Sequence, residues 1–149
     1  MDQVTPAPRR KRTPAQRFRD FLSRQGFRPW VEDGDAPGTI WFHCEGLKFV
    51  ARLDEGDEDF VQICLGFLLR EESRDELTLL RTMNEVQAGT KVVKVFVPPE
   101  RDFVEFQMEL YLDGRPMSPK LLERCLVTLR GTSSDYLGRV RPEPPKAQA

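Results

Sequence analysis

Apolar residues recur at helical spacing in three parts of the chain, and the first of these lies near the N-terminus. Phe18, Phe21 and Leu22 stand at positions i, i+3 and i+4, which places them on one face of a helix. Thr13-Pro14-Ala15-Gln16 precedes them, combining a capping threonine, a proline suited to the first helical position and a glutamine that completes a capping box. The pattern predicts a helix that begins at Thr13-Pro14 and ends near Gly26.

Two more helical stripes lie in the second half of the chain. A second capping box at Ser73-Arg74-Asp75-Glu76 opens one of them, and Gly89 ends it. Ser118-Pro119 opens the other, which Gly131 closes, and a further short helix over residues 134–139 is compatible with the sequence. The apolar residues of the two stripes are Leu77, Leu79, Leu80, Met83 and Val86, and Leu121, Leu122, Cys125, Leu126 and Leu129.

Five segments have the composition or the alternation of β-strands. Glu45-Gly46 suits a two-residue hairpin turn between the first two. Gly66 interrupts the third, where it marks either a bulge or a close backbone approach. The fifth alternates most clearly, and Glu105, Gln107 and Glu109 share the side that we expect to face solvent. The predicted strands span residues 38–44, 47–53, 60–70, 91–97 and 103–112.

The element order is α-β-β-β-α-β-β-α. Strands joined by hairpins pair antiparallel, whereas the link from the third to the fourth strand passes through the second helix and could be a crossover. We therefore predict an α+β fold in which helices pack on a mostly antiparallel five-stranded sheet. One domain should span residues 13–140, between a disordered basic tail at 1–12 and a disordered proline-rich tail at 141–149.

Composition narrows the class of protein. Of the 149 residues, 39% are hydrophobic and 32% are charged, which supplies a core but leaves no run of roughly 20 apolar residues that could span a bilayer. No apolar signal-peptide core follows the N-terminus. The three cysteines are odd in number and form no C-x-x-C pair, so we expect neither a disulfide framework nor a zinc site, and we expect a reducing cytoplasm as the location.

Charge is distributed unevenly along the chain. Residues 1–28 carry eight basic and two acidic residues, a net +6, whereas residues 29–149 carry 15 and 22, a net −7. A basic arm of this kind could contact a polyanion, although the pI near 5.9 favours a tail that solubilises the protein or contacts a partner. The residues that would meet phosphates are Arg9, Arg10, Lys11, Arg12, Arg17 and Arg19.

No catalytic or metal-binding motif is present in the sequence. His43, the only histidine, neighbours Cys44 in a strand, and adjacent strand residues point to opposite faces, so they form no local nucleophilic pair. The acidic run from Asp54 to Asp59 lacks the ligand spacing of an EF-hand and is more typical of a solvated loop. Phosphate loops, dinucleotide-binding glycines and hydrolase or metalloprotease motifs are also missing. We expect no enzyme, no cofactor and no metal.

Large aromatic residues outside the predicted core are the best candidates for binding. Phe103 and Tyr111 fall on the polar side of the fifth strand, and Trp30 and Trp41 lie in partly acidic surroundings. Aromatic residues in such places can anchor a dimer or another protein. The alternative is that a flanking helix simply covers them.

The run from Leu77 to Val97 resembles the middle of a YbjN-family domain. A helix carrying Asn84 near its end leads into a strand at residues 92–97, and an alternating strand at 103–112 follows. The turn Asp113-Gly114 then precedes the final helix, and the resemblance extends over about residues 13–131.

The resemblance implies a fold like that of type III secretion chaperones, which are small homodimers that bind extended segments of partner proteins. It also implies no catalytic activity and a bacterial role loosely tied to stress response and regulation. We therefore expect a homodimeric, non-enzymatic adaptor or chaperone-like module that contacts another protein and no membrane. The alternative is an accessory protein that uses its basic arm to bind nucleic acid.

Overall fold

A computed structural model describes residues 10–68 and 75–141 of the chain, except for the side chain of Leu68. It contains the eight elements in the predicted order. They are α1 (Pro14–Arg24), β1 (Thr39–Cys44), β2 (Leu47–Leu53), β3 (Phe60–Leu68), α2 (Glu76–Gly89), β4 (Lys94–Phe96), β5 (Phe103–Tyr111) and α3 (Pro119–Val140). The division into a domain and two tails stays a prediction, because most tail residues lie outside the described parts.

The five strands form one sheet in the order β1-β2-β3-β5-β4, and every neighbouring pair is antiparallel. Because β5 lies between β3 and β4, the connection through α2 crosses over one strand, as the sequence allowed. The predicted α+β fold with a five-stranded antiparallel sheet is confirmed.

Helices cover one side of this sheet. Phe42, Phe49, Leu65 and Phe106 lie side by side across four strands, and all are buried. They belong to one core cluster together with buried residues of each helix. Those helix residues include Phe18 and Leu22 of α1, Met83 and Val86 of α2, and Leu122, Leu126 and Leu129 of α3.

The helix starts follow from local hydrogen bonds. The Thr13 hydroxyl accepts from the Gln16 amide at 3.2 Å, and the Gln16 side chain accepts from the Thr13 amide at 3.0 Å, which confirms the first capping box. Ser118 caps α3. The cap of α2 is Asp75, whose carboxylate accepts from the Thr78 amide at 3.0 Å; the predicted cap, Ser73, lies outside the described residues.

Two glycines occupy sites where a side chain would matter. Glu45 and Gly46 both have positive φ, of 48° and 77°, as a type I′ hairpin turn requires. Gly66 sits in a continuous register between β3 and β5, so the bulge interpretation is wrong. A Cβ at Gly66 would lie 3.4 Å from the Phe103 ring, so the close approach is made by an aromatic side chain and not by backbone.

The sequence-based end of α3 is also wrong. The helix runs through Gly131 to Val140 as a single element, and Gly131 does not adopt positive φ. Its buried stripe continues past Leu129 through Thr132, Ser133 and Tyr136, whose ring centroid lies 5.6 Å from that of Phe106. Packing of these later residues on the sheet and on α2 keeps the chain helical beyond the glycine.

Two further expectations need correction. β4 is shorter than predicted, because Val92 has a φ of +55° and leaves the extended conformation. Only the later part of the predicted α2 stripe is buried, since Leu77 and Leu80 are 55% and 47% exposed. α2 therefore packs through its C-terminal half.

Candidate functional site on the helix-free face of the sheet

The side of the sheet opposite the core carries a second set of side chains. Trp41, Val50, Cys64, Gln107 and Lys94 form one row of this face across the five strands. The three described helices pack on the other side, so we call this the helix-free face.

All four aromatic residues predicted as contacts lie on the helix-free face. Trp41, Phe103 and Tyr111 alternate with core residues of β1 and β5. Trp30 is held beside Trp41 by two backbone hydrogen bonds of 2.9 and 2.8 Å, which puts both tryptophans on the same side. None of the described helices covers the four residues, so the alternative that a flanking helix covers them does not hold for α1, α2 or α3. Their role as a binding contact stays a prediction.

The four residues are spread over this face. The tryptophans lie at the β1 margin, whereas Tyr111 pairs with Phe60 at one end of β5, with ring centroids 5.5 Å apart. Phe103 lies at the other end, over Gly66. Tyr111 is 77% exposed, and the other three are partly buried.

A polar network fills the centre of the face. Arg52 reaches across β3 from β2 to β5 and donates to Glu105 at 2.8 Å, passing 3.4 Å from the Cys64 sulfur. Glu105 is only 3% exposed and Gln107 6%, so the expectation that these residues face solvent is wrong. Burial raises the pKa of the Cys64 thiol strongly, which keeps it protonated and unreactive.

A second part of the network centres on Glu109. Gln62 and Gln107 each donate to its Oε1 at 3.0 Å, and Lys94 forms an ion pair with its Oε2. The hydrogen bond from Lys94 lowers the pKa of Glu109. The face therefore satisfies its central charges internally.

At the β1 margin, both indole rings contact one ammonium group. Lys48 Nζ lies 4.1 Å from the Trp41 ring centroid and 5.6 Å from that of Trp30. It also donates to Glu32 at 2.9 Å. The hydrogen bonds from Lys48 and then Trp30 lower the pKa of Glu32.

Carboxylates hold the two indoles in place. Trp41 Nε1 donates to Asp35 at 2.6 Å, and Trp30 Nε1 donates to Glu32 at 3.3 Å. The exposed His43 packs against Trp30 in a tilted arrangement, with ring centroids 4.8 Å apart. Sequence reasoning singled out both tryptophans but missed Lys48, Glu32 and Asp35, since their convergence depends on the backward turn of residues 30–41.

The edges of the sheet are occupied by groups of the same chain. At the β4 edge, the Val95 amide donates to the Gln87 side chain at 2.7 Å. At the β1 edge, the Trp41 backbone pairs with Trp30 and the Thr39 amide donates to Ala36. Addition of a partner strand is therefore obstructed at these positions.

The predicted polyanion residues are partly neutralised. Arg12 pairs with Asp20, while Lys11 and Arg17 both pair with Glu58, at 3.6 and 3.3 Å. Arg10 and Arg19 are exposed, and Arg9 lies outside the described residues.

Candidate catalytic and metal-binding residues do not converge in the described parts. His43 lies on the helix-free face and Cys44 beside the core, as strand alternation required. Cys44, Cys64 and Cys125 are free thiols. In the acidic loop, Asp54 accepts from the Gly56 amide and Asp59 from the Gly114 amide, each at 2.8 Å. Within residues 10–68 and 75–141, no group of three or more histidine, cysteine or acidic side chains could hold a metal ion.

Among the described helices, none is long and apolar enough to cross a membrane.

The described helices cover one face of a five-stranded antiparallel sheet, which defines an α+β fold shared with a chain of a chaperone–effector complex. The chain belongs to the YbjN family, whose model matches residues 14–141 and is described as "Putative bacterial sensory transduction regulator". This confirms the family resemblance of the sequence. No curated protein matches the sequence.

Three solved structures share this fold at low sequence identity. An uncharacterized protein from Methanothermobacter thermautotrophicus aligns with a TM-score of 0.63 at 14% identity, covering 85% of this chain and 96% of its own. YbjN from E. coli aligns with a TM-score of 0.62 at 12% identity, over 83% and 88%. A chain of the HopA1–SchA chaperone–effector complex aligns with a TM-score of 0.54 at 13% identity, over 78% and 88%.

Proposed function

We propose that this protein is a non-enzymatic, homodimeric adaptor that binds protein through its helix-free face. The observation that carries the proposal is a sheet face that bears Trp30, Trp41, Phe103 and Tyr111 and is covered by none of the described helices. Large aromatic side chains at the surface supply most of the binding energy in many protein interfaces.

The size and charge of the face also suit a protein partner. Five strands about 4.8 Å apart and about seven residues long present on the order of 600 Å². A standard interface buries roughly 800 Å² per partner, so the face and its rim approach that area. Its central charges pair with one another, which offers little attraction to a polyanion.

Comparison with known proteins also supports this proposal, through membership of the YbjN family and through the shared fold. One structural neighbour is a chain of a chaperone–effector complex, in which one protein binds another. The family description supports a bacterial regulatory role, and a role in stress response belongs to the same proposal. The three free thiols support a reducing cytoplasm as the location.

Replacement of Tyr111 tests the face without disturbing the core. Tyr111→Ser should leave the stability nearly unchanged, because the side chain is 77% exposed. Light scattering should give a mass near twice 17.2 kDa for the intact protein. The variant should either become a monomer, if a second copy occupies the face, or stay dimeric and lose a partner that the intact protein retains.

Val127→Ser is the matched control, since Val127 is 51% exposed on α3, in the layer on the other side of the sheet. It should change neither mass nor partner retention. If the intact protein is strictly monomeric, the proposal that it forms a homodimer is wrong. If both variants match the intact protein in mass and in partner retention, the helix-free face is not the contact surface.

A further inference from the structure

The two tryptophans of the chain form a site whose chemistry is more specific than that of the rest of the face. We propose that Trp30, Trp41, Glu32 and Asp35, here called the indole cage, bind a lysine or arginine side chain of a partner protein. In the free protein, Lys48 fills the cage. This inference rests on the proposed function, because the partner reaches the cage by docking on the helix-free face.

The cage has the geometry of a cation site. The Lys48 ammonium lies within 6 Å of both ring centroids and 2.9 Å from the Glu32 carboxylate, so aromatic faces and a negative charge converge on one point. Asp35 and Glu32 accept from the two indole N–H groups and thereby fix the ring orientations. A preorganised site of this kind loses little conformational freedom when its ligand changes.

Local charge favours a cation as the incoming group. Glu32, Asp33 and Asp35 supply three carboxylates, and the region stays net negative even when Arg28 and Lys48 are counted. Residues 29–149 carry a net charge of −7. This charge disfavours the body of a second copy as the source of the incoming cation, and it favours a basic partner.

Lys48 is held weakly enough to be displaced. Its side chain is 45% exposed and that of Glu32 is 42% exposed. An exposed ion pair and an exposed cation–π contact together favour the arrangement in which Lys48 fills the cage by about a factor of ten. A partner that gains further contacts on the helix-free face can overcome a bias of that size.

Tryptophan fluorescence reports on this site alone, because the chain has no other tryptophan. The probes are N-acetyl-arginine amide and N-acetyl-lysine amide, with sodium chloride at equal ionic strength as the blank. Lys48→Gln empties the cage and should bind these probes saturably, with a midpoint about tenfold lower than that of the intact protein. Adding Glu32→Gln to this variant should weaken the response.

Lys94→Gln is the matched control, because Lys94 also pairs with a carboxylate on the helix-free face but contacts neither indole. It should leave the midpoint at that of the intact protein. The proposal is overturned if Lys48→Gln responds to the probes only as it does to sodium chloride, or if Lys94→Gln lowers the midpoint equally. These titrations need no partner protein, so they can fail while the Tyr111 test succeeds, and the reverse.

Discussion

At the residue scale, Arg52 and Glu105 differ from the other described ion pairs because the carboxylate is almost fully buried. The Glu105 side chain is 4% exposed, and Arg52 is the only basic group that pairs with it in the described residues. Arg52→Met would leave a buried charge without its partner, a change that costs about 3–5 kcal/mol for a wholly buried pair. Because Arg52 itself is 42% exposed, we expect a loss of about 2–3 kcal/mol in urea unfolding.

Lys94→Met offers a matched comparison on the same face. The Lys94 side chain is 57% exposed and its partner Glu109 is 30% exposed, so its loss should cost below about 1 kcal/mol. Equal costs for the two substitutions would show that the burial of Glu105 does not make its ion pair important for stability.

The burial of Glu105 also shows where residue patterns stop being informative. Alternation along β5 correctly assigned Glu105, Gln107 and Glu109 to the side away from the core. It could not show that Arg52, 53 positions away in sequence, crosses a strand and covers Glu105. Polar residues on a sheet face are buried by their neighbours on adjacent strands, and strand order is not visible in the local pattern.

At the element scale, the continuity of α3 leads to a sharp prediction for Gly131. The residue has no positive φ, and nothing lies within 4 Å of the place where a Cβ would stand. Gly131→Ala should therefore stabilise the protein by about 0.5–1 kcal/mol in chemical unfolding, as expected for an exposed helix interior. If Gly131 ended the helix in a left-handed conformation, the same substitution would destabilise the protein.

Gly38→Ala provides the opposite case. Gly38 has a φ of +87°, and a Cβ there would lie 2.2 Å from the Leu53 carbonyl oxygen. The backbone cannot accommodate that atom without moving, so we expect a loss of more than about 2 kcal/mol. Stabilisation by both alanines would contradict the backbone conformations of the two glycines.

Elements whose ends depend on local chemistry were predictable from the sequence. β2 was predicted with its observed bounds, because Glu45-Gly46 fixes its start and an acidic loop follows its end. The end of α3 was not predictable from Gly131, since the hydroxyl and aromatic residues beyond it are held helical by tertiary packing. Leu77 and Leu80 fit the helical period of α2 but stay exposed, and the residues of that helix that are buried in the core, Met83 and Val86, lie in its later part.

At the scale of the whole molecule, the candidate site emerges from the strand order. Trp41 and Tyr111 lie 70 positions apart, and each could be identified from sequence as an aromatic residue outside the core pattern. The two residues lie on one face only because β1 and β5 belong to the same sheet and turn their core residues to the same side of it. The cage around Lys48 requires in addition that residues 30–41 turn back on themselves.

The charge asymmetry of the molecule leads us to expect only weak binding of nucleic acid. The basic arm carries the positive charge, yet Lys11 and Arg17 pair with Glu58 and Arg12 pairs with Asp20. The remaining body is acidic and repels phosphates. Fluorescence anisotropy with a labelled DNA duplex should therefore show only weak binding at low salt, and this binding should vanish at about 0.15 M salt. Tight binding that persists at that salt concentration, falls steeply with further salt and disappears on removal of residues 1–12 would instead establish the arm as a nucleic-acid contact.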